Sequence, residues 1–473
     1  MSKTNVEAGT LPQDDRPSEF SLDVEERSIA DGVRSWVINL RSGNPGALPS
    51  VLGLVVLGLI FMQVSSQFLT KYNLGNIPGQ GAYIAVTALG LVFVLLLGEI
   101  DLSAATAGGT CAVVAAVAVS AGNLHTGLPT FMYWCLLGGM LICIGLAAWL
   151  RTYTAAVVIA VGLVLVVTNL TQHLILALIA AVCIGTAIGV FNGYLVAKVG
   201  IPSFVVTLAL FLAWQGVEQF GLKGQPVNTT RYDLWHNLTY GNLSVLWSWI
   251  FIVVVVGGYA AYTLWASLSA KRAGLARDGV DLVLARAGII ALVAVVVGLF
   301  ASVNRNTNIY RVIEGVPVPA VIAIVLMIGC TIALTKTTWG RHLYATGGNI
   351  EAARRAGIDV VRMKVNAFTL CSAFGALGGI MLASSQSSAS LDLGAGNALL
   401  FSVAAAVIGG TSLFGGRGKP RDAIIGALVI TIIPNGLGLR ASIGPQWQQV
   451  ITGIVLLLAA AIDAVSRKRA ARR

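Results

Sequence analysis

The stretch IPGQGAYIAVTALGLVFVLLLG, residues 77–98, runs without a single charged side chain. A helix needs about 20 such residues to cross the hydrocarbon core of a bilayer. Further apolar runs lie at about 47–69, 104–121, 129–150, 153–170, 174–197, 203–221, 246–266, 287–303, 317–336, 366–385, 397–412, 421–439 and 448–465. Several of these are shorter than a full span or broken by Gly and Pro, and they read as half-helices or re-entrant pieces. Repeated ten-residue segments of alternating polarity, the sign of a membrane barrel, are missing, which leaves helices as the spanning solution. The expected fold is therefore an all-α polytopic membrane protein with about 10–14 transmembrane helices, some broken or re-entrant.

Composition supports this reading. Of 473 residues, 56% are hydrophobic and only 11% charged, less than half the usual charged share of about 25%. With a mean hydropathy of +0.82, a soluble globular protein, a disordered chain and a nucleic-acid-binding domain are excluded, despite the net charge of +11. That charge is unevenly placed. With the N-terminus inside, alternate connections put 25 Lys and Arg on the inner side and six on the outer: Lys71, Lys223, Arg231, Arg305, Arg311 and Arg440. Lys and Arg accumulate on the cytoplasmic side of membrane proteins, so both termini are expected inside and the charge acts as an insertion signal. A topology that takes 77–121 as one broken unit divides the charges similarly.

Residues 1–46 form a polar tail too acidic for a signal peptide, with Asp14, Asp15, Glu25 and Glu26 ahead of any long apolar run. Asp23 and Glu26 suit a capping box, and Ile29, Val33, Trp36, Val37 and Leu40 recur at helical spacing. The tail reads either as an amphipathic helix on the membrane surface or as disordered chain. Residues 47–465 form the transmembrane domain and 466–473 a basic cytoplasmic C-terminus. The six cysteines form no CxxC pair and, like the four histidines, are scattered through the chain, so neither metal binding nor redox chemistry has support.

One connection, 337–365, has internal design. After Gly347 and Gly348, read as a turn pair, Asn349 is a good N-cap and Glu351 places negative charge in a first turn. Ala352 and Ala353 follow, Arg354 and Arg355 place positive charge near the end, and Gly357 stands at C′. This predicts a two-turn helix with little to bury in lipid. Helices so short need tertiary support, which suggests a soluble partner that cradles it; a plain linking loop is the alternative.

The stretch GRHLYATGGNIEAARRAGIDVVRMKV, Gly340 to Val365, resembles the coupling-helix loop of the ribose- and xylose-type ABC transporter permeases. Three further stretches resemble the family's motifs in the family's order: GEIDLS at Gly98–Ser103, NGYLVAKVGIPSFVVTLAL at Asn192–Leu210, and AAAVIGGTSLFGGRG at Ala404–Gly418. Together they cover most of the chain from about residue 77 onward, and its xylose branch is the nearest match. The resemblance implies the permease subunit of a bacterial inner-membrane importer for xylose or another pentose, most often a homodimer. An extracytoplasmic binding protein would deliver the sugar, and a separate ATP-binding subunit would hold ATP and Mg, so this chain would carry no cofactor and no catalytic residue. The family's ATPase contact maps onto Gly347, Gly348, Asn349, Glu351, Ala352, Ala353, Arg354, Arg355 and Gly357. The chain departs from the sugar branch at Leu399, Leu400 and Phe401, where an acidic pair is common. It is also long for the family, with surplus in the tail and near 151–173, 223–243 and 267–286.

Glu99 and Asp101 directly follow an apolar run, and ionisable groups at such depth are functional candidates. Asp101 also suits a cap for a helix starting near Ser103, and Glu99 a headgroup boundary. Glu99, Asp101, Ser103, Asn192, Phe204 and Thr207 are the expected translocation-path residues. Asn192 and Thr207, with Gln215, Gln219 and Asn435, equally suit hydrogen bonds between helices. The pairs Gly378–Gly379 and Gly409–Gly410 permit kinks or close helix approach. GGRGK at Gly415–Lys419 lacks the Walker A spacing, so ATP energy would have to come from a partner. Two other readings remain: a permease of the same superfamily for branched-chain amino acids, nucleosides or autoinducers, and an ion-coupled secondary transporter using Glu99.

Overall fold

The computed structural model describes residues 48–273, 279–306, 312–440 and 446–454, with positions 34, 310, 444 and 457. Of the tail helix expected over 23–40 only Arg34 is described, and the basic C-terminus at 466–473 lies outside the described residues. The chain is helical almost throughout, and the fold is that of an all-α polytopic membrane protein. In order come α1 (Leu48–Val64), α2 (Lys71–Leu96), α3 (Ala104–Ala121), α4 (Leu124–Gly127), α5 (Thr130–Trp149), α6 (Tyr153–Val167) and α7 (Leu174–Tyr194). They are followed by α8 (Ser203–Gly221), α9 (Asp233–Tyr240), α10 (Val245–Arg272), α11 (Val280–Ala301) and α12 (Val318–Lys336). The last are α13 (Thr338–Gly348), α14 (Ile350–Arg355), α15 (Val360–Ser385), α16 (Asn397–Gly409) and α17 (Pro420–Gly438).

Among the described residues, ten helices are long and apolar enough to cross a membrane, and α1, α6 and α16 are shorter apolar helices. That agrees with the expected 10–14, broken pieces included. Residues 249–297, which hold most of α10 and α11, form a compact unit of their own; the remaining spans belong to a second, larger unit. In that larger unit α5, α6 and α8 leave large apolar side chains exposed, among them Leu141, Ile142, Val161 and Leu212. In water such faces would aggregate, whereas in hydrocarbon they carry no penalty.

The core of the larger unit is α15, buried along most of its length against α2, α3 and α7. Glycines set these contacts. On α7, Gly185, Gly189 and Gly193 recur every four residues and therefore share one face. A Cβ added to each would lie 2.8 Å from the Ser372 carbonyl oxygen, 2.5 Å from that of Phe368, and 2.7 Å from Val365 Cα. The descending register shows that α7 and α15 run antiparallel. On α3, a Cβ at Gly108 would sit 2.0 Å from the Gly375 carbonyl oxygen, while one at Gly379 would sit 2.1 Å from that of Gly108. From α2, Thr87 fills the space over Gly378, and Gly90 presses on Cys371 and Phe374. With no hydrophobic effect to drive helices together in lipid, backbone proximity supplies the dispersion contacts that do. The pair Gly378–Gly379 is thus a close approach, as is Gly409, where a Cβ would lie 1.8 Å from the Asp422 carbonyl oxygen.

Polar side chains close the gaps. Asn435 of α17 exchanges hydrogen bonds with Asn73 of α2 at 2.9 Å and donates to Gln80. At the far end of α15, the buried Trp235 indole donates to the Ile380 carbonyl at 2.9 Å. There a two-residue antiparallel pair, Val227–Asn228 with Ser388–Ala389, ties the chain after α8 to the chain after α15. Buried Arg305 donates to the carbonyls of Ala301 and Gly315 and to Asn242 Oδ1, ordering the connection between α11 and α12.

The glycine contacts have a direct test. Gly108→Ala, which must push apart a pair of touching backbones, should destabilise the detergent-solubilised protein by about 1–3 kcal/mol and lower its melting temperature. Gly145→Ala on α5, where a Cβ meets nothing within 4 Å, should be neutral or slightly stabilising. Thermal unfolding of the two variants beside the parent checks both.

Candidate functional site

The two helices α2 and α3 are joined by Leu97–Ser103, a turn made by a glycine in the left-handed region, Gly98 (φ +73°). Because α2 runs antiparallel to α15 and α3 runs parallel to it, this acidic turn lies at the end where α15 begins. Glu99 meets Lys364, in the second turn of α15, as a largely buried ion pair at 2.5 Å. The apolar run alone predicts a start at 366, since Arg362 and Lys364 suit a loop. The structure starts the helix at Val360, with Lys364 neutralised by Glu99.

Asp101 is fully buried and works inward. Its Oδ1 accepts from the Ser103 amide at 2.9 Å and from Ser103 Oγ at 2.7 Å, fixing the turn ahead of α3, whose N-cap position is Ser103. Asn192 at the end of α7 donates to Ser103 Oγ at 2.9 Å. From α8, Ser203 Oγ accepts from the Ile100 amide at 3.3 Å, and Thr207 Oγ1 bonds to the Ile100 carbonyl at 3.3 Å. The Cys371 thiol faces the same carboxylate. Asp101 Oδ2 and Asn192 Oδ1 have no protein hydrogen-bond partner among the described residues. Of the expected path residues, Asp101, Ser103, Asn192 and Thr207 thus form one buried network, Glu99 stands beside it, and Phe204 is exposed on α8.

The 337–365 connection packs onto the same turn. It contains two helices, not one: Gly347 and Gly348 close α13 instead of forming a separate turn, and the break falls at Asn349. In α14, Asn349 Oδ1 accepts from the Ala352 amide at 3.0 Å. Gly357 (φ +80°) terminates the helix, with its amide bonded to the Arg354 carbonyl and the Ile358 amide to that of Ala353, both at 3.0 Å, as in a Schellman cap. Within α14 only Ala353 is buried; Glu351, Ala352, Arg354 and Arg355 are exposed. Glu351 and Arg354 pair at 2.9 Å in solvent, a contact worth little to stability.

Three backbones meet at the last turn of α13, just ahead of α14. A Cβ on Gly347 would lie 1.8 Å from the Leu96 carbonyl oxygen, and that oxygen accepts from the Gly416 amide at 2.8 Å. Gly415 (φ +85°) abuts the Gly347 carbonyl. Tyr344 of α13 donates to the Gly418 carbonyl at 2.6 Å. Burial, reinforced by the nearby Asp422 carboxylate, pushes the Tyr344 phenol above its ordinary value, so it stays a neutral donor at physiological pH. All four stretches singled out in the sequence therefore converge: Gly98–Ser103, the ends flanking Asn192 and Thr207, Gly347–Gly357, and Gly409–Gly418.

Sequence reading missed Glu218. It lies on α8 between Gln215 and Gln219, is fully buried, and is wedged against Gly109 of α3, where a Cβ would lie 2.2 Å from Oε1. Its Oε2 is 3.5 Å from the Gly394 amide. The signal was available: between Leu102 and Tyr232 it is the only carboxylate.

The chain is 29% identical to the xylose transport system permease protein XylH of Escherichia coli strain K12, over 96% of this chain and 98% of that one. It is 30% identical to the protein of that name from Haemophilus influenzae, over 88% and 95%. With the ribose import permease protein RbsC of Escherichia coli strain K12 it shares 27%, over 88% and 92%. No solved structure matches. The model of the family described as the branched-chain amino acid transport system/permease component matches residues 73–460, and the chain belongs to that family of multi-pass transport permeases.

Proposed function

We propose that this chain is the membrane-spanning subunit of an ABC importer for a monosaccharide, xylose or a related pentose, in the bacterial inner membrane, with both termini cytoplasmic. The observation that carries the coupling reading is the convergence at the last turn of α13, where α14 begins. This exposed, doubly capped helix follows Gly347, where three interlocked backbones lead into α2, into α17 and, through α14, into α15. A partner that binds ATP and Mg would grip α14 and move this junction, while this chain itself binds neither and catalyses nothing. The sugar cargo is supported by the names of its relatives and by the uncharged polar groups of the spans. An extracytoplasmic binding protein would deliver the sugar, and two copies of the chain would enclose the path.

In this reading Glu99, Asp101, Ser103, Asn192, Phe204 and Thr207 border the inner end of the path. Asp101 and its hydrogen-bond partners shape the turn, and Glu99 with Lys364 locks it to α15. ATP and substrate-loaded binding protein must then favour different states of this junction, since a ligand shifts an equilibrium only by its differential affinity.

Two experiments follow. Co-purified with its ATPase and binding protein in lipid, the parent chain should show ATP hydrolysis stimulated by a pentose. Glu351→Arg/Arg354→Glu, which keeps the internal pair but reverses the charges offered to a partner, should lose that stimulation by at least tenfold while expressing and folding normally. A chain that moves solute on a proton or sodium gradient with no ATPase present would sink the reading. The second is a double-mutant cycle at Glu99 and Lys364. Each single change to Gln should impair transport by leaving a largely buried charge unpaired, and the double change should recover much of the loss, a coupling of about 0.5–3 kcal/mol. An ion-coupled carrier using Glu99 would lose transport in the double variant as fully as in Glu99→Gln.

A further inference from the structure

We propose that Trp149, Arg151 and Lys198 form a binding site for the headgroup of an anionic phospholipid, on the membrane face that carries α14. The site is built where α5 ends, α6 begins and α7 ends. Lys198 Nζ lies over the Trp149 ring, 5.3 Å from its centroid, and Tyr194 packs against the same indole at 6.2 Å. Arg151 stands two residues beyond Trp149, exposed, in the turn between α5 and α6, with a left-handed backbone (φ 58°). Trp149 and Tyr153, at 61% and 63% exposure, flank it.

Three observations select a lipid. The helices that meet here, α5 and α6, present exposed aliphatic side chains along their length, including Leu141, Ile142, Val157 and Val161, so acyl chains run up to the cluster. Trp and Tyr at the end of such faces sit at headgroup level, with an apolar body and a polar tip. The charge is unbalanced as well. From Leu102 to Val217 the chain contains no Asp or Glu, and its only Lys and Arg are Arg151 and Lys198. The ring of Trp149 holds the lysine ammonium without neutralising it. A phosphate diester with a net negative charge fits two such cations at an aromatic-lined surface, and anionic lipids attract cations there by about 1 kcal/mol each.

The location gives the site a consequence. Gly193, five residues before Lys198, presses on Val365 in the first turns of α15. A lipid held at Lys198 therefore bears on the end of α7 that packs against the junction below α14. The inference does not depend on the cargo or on an ATPase.

The test measures lipid binding to the whole detergent-purified chain by native mass spectrometry, titrating phosphatidylglycerol or phosphatidylcholine. The variant is Arg151→Asn/Lys198→Gln, Asn being tolerant of the left-handed backbone. Lys71→Gln, at the opposite face, is the control. The parent and the control should bind phosphatidylglycerol in preference to phosphatidylcholine, and the double variant should bind it roughly 30-fold more weakly, about fivefold per charge removed. Added salt should weaken binding in the parent. Trp149→Phe, which keeps a ring under Lys198, should bind at least as tightly as the double variant. Equal binding of both lipids by the parent, an unchanged affinity in the double variant, or equal loss in Lys71→Gln overturns the proposal. So does displacement of the lipid by inorganic phosphate at the same concentration, which would mark a site for free phosphate.

Discussion

The architecture of the larger unit depends on how closely α15 lets its neighbours approach. Three helices reach its backbone through positions where at least one side carries no Cβ. In water the hydrophobic effect would hold such helices together with larger side chains between them. In lipid it offers nothing, and contact distance decides the attraction. The glycines at 108, 185, 189, 193, 375 and 379 are thus a condition for assembly. The price is intolerance: a methyl group at Gly108 has nowhere to go except through a carbonyl oxygen.

That closeness shapes how motion can travel. At the α14 end, Leu96, Gly347 and Gly416 touch backbone to backbone, and Glu99 fastens the acidic turn to α15. Side chains can change rotamer and absorb a displacement, but backbones in contact must move together or separate. Packed interfaces of this kind switch between discrete arrangements and do not deform continuously. A force on α14 is therefore delivered to α2, α3 and α15 as one displacement. The Asp101, Ser103 and Asn192 bonds keep the turn itself from yielding.

Much of this was legible in the chain. The apolar runs located the spans, because hydrocarbon accepts little else, and the Asn349 and Gly357 positions located α14, because its caps are local chemistry. Asp101, expected as a cap for α3, instead holds Ser103, which occupies the N-cap position without a side-chain cap bond. What was hidden is tertiary. Lys364 looks like a loop residue until Glu99, 265 positions away, is placed beside it. Glu218 passed unnoticed because the run around it is apolar and its counterpart is the absent side chain of Gly109. That four separated motifs meet at one turn follows from helix direction and register, which composition does not encode.

The six residues of α14 are held in place by an N-cap, a left-handed glycine and one buried alanine. Ordering a backbone costs about 1–2 kcal/mol per residue, so a flexible loop of this length would surrender roughly 6–12 kcal/mol of any docking energy simply to become a helix. Here that ordering precedes contact. A partner meets a rigid knob, and almost all of the energy of gripping it remains available to move what lies underneath.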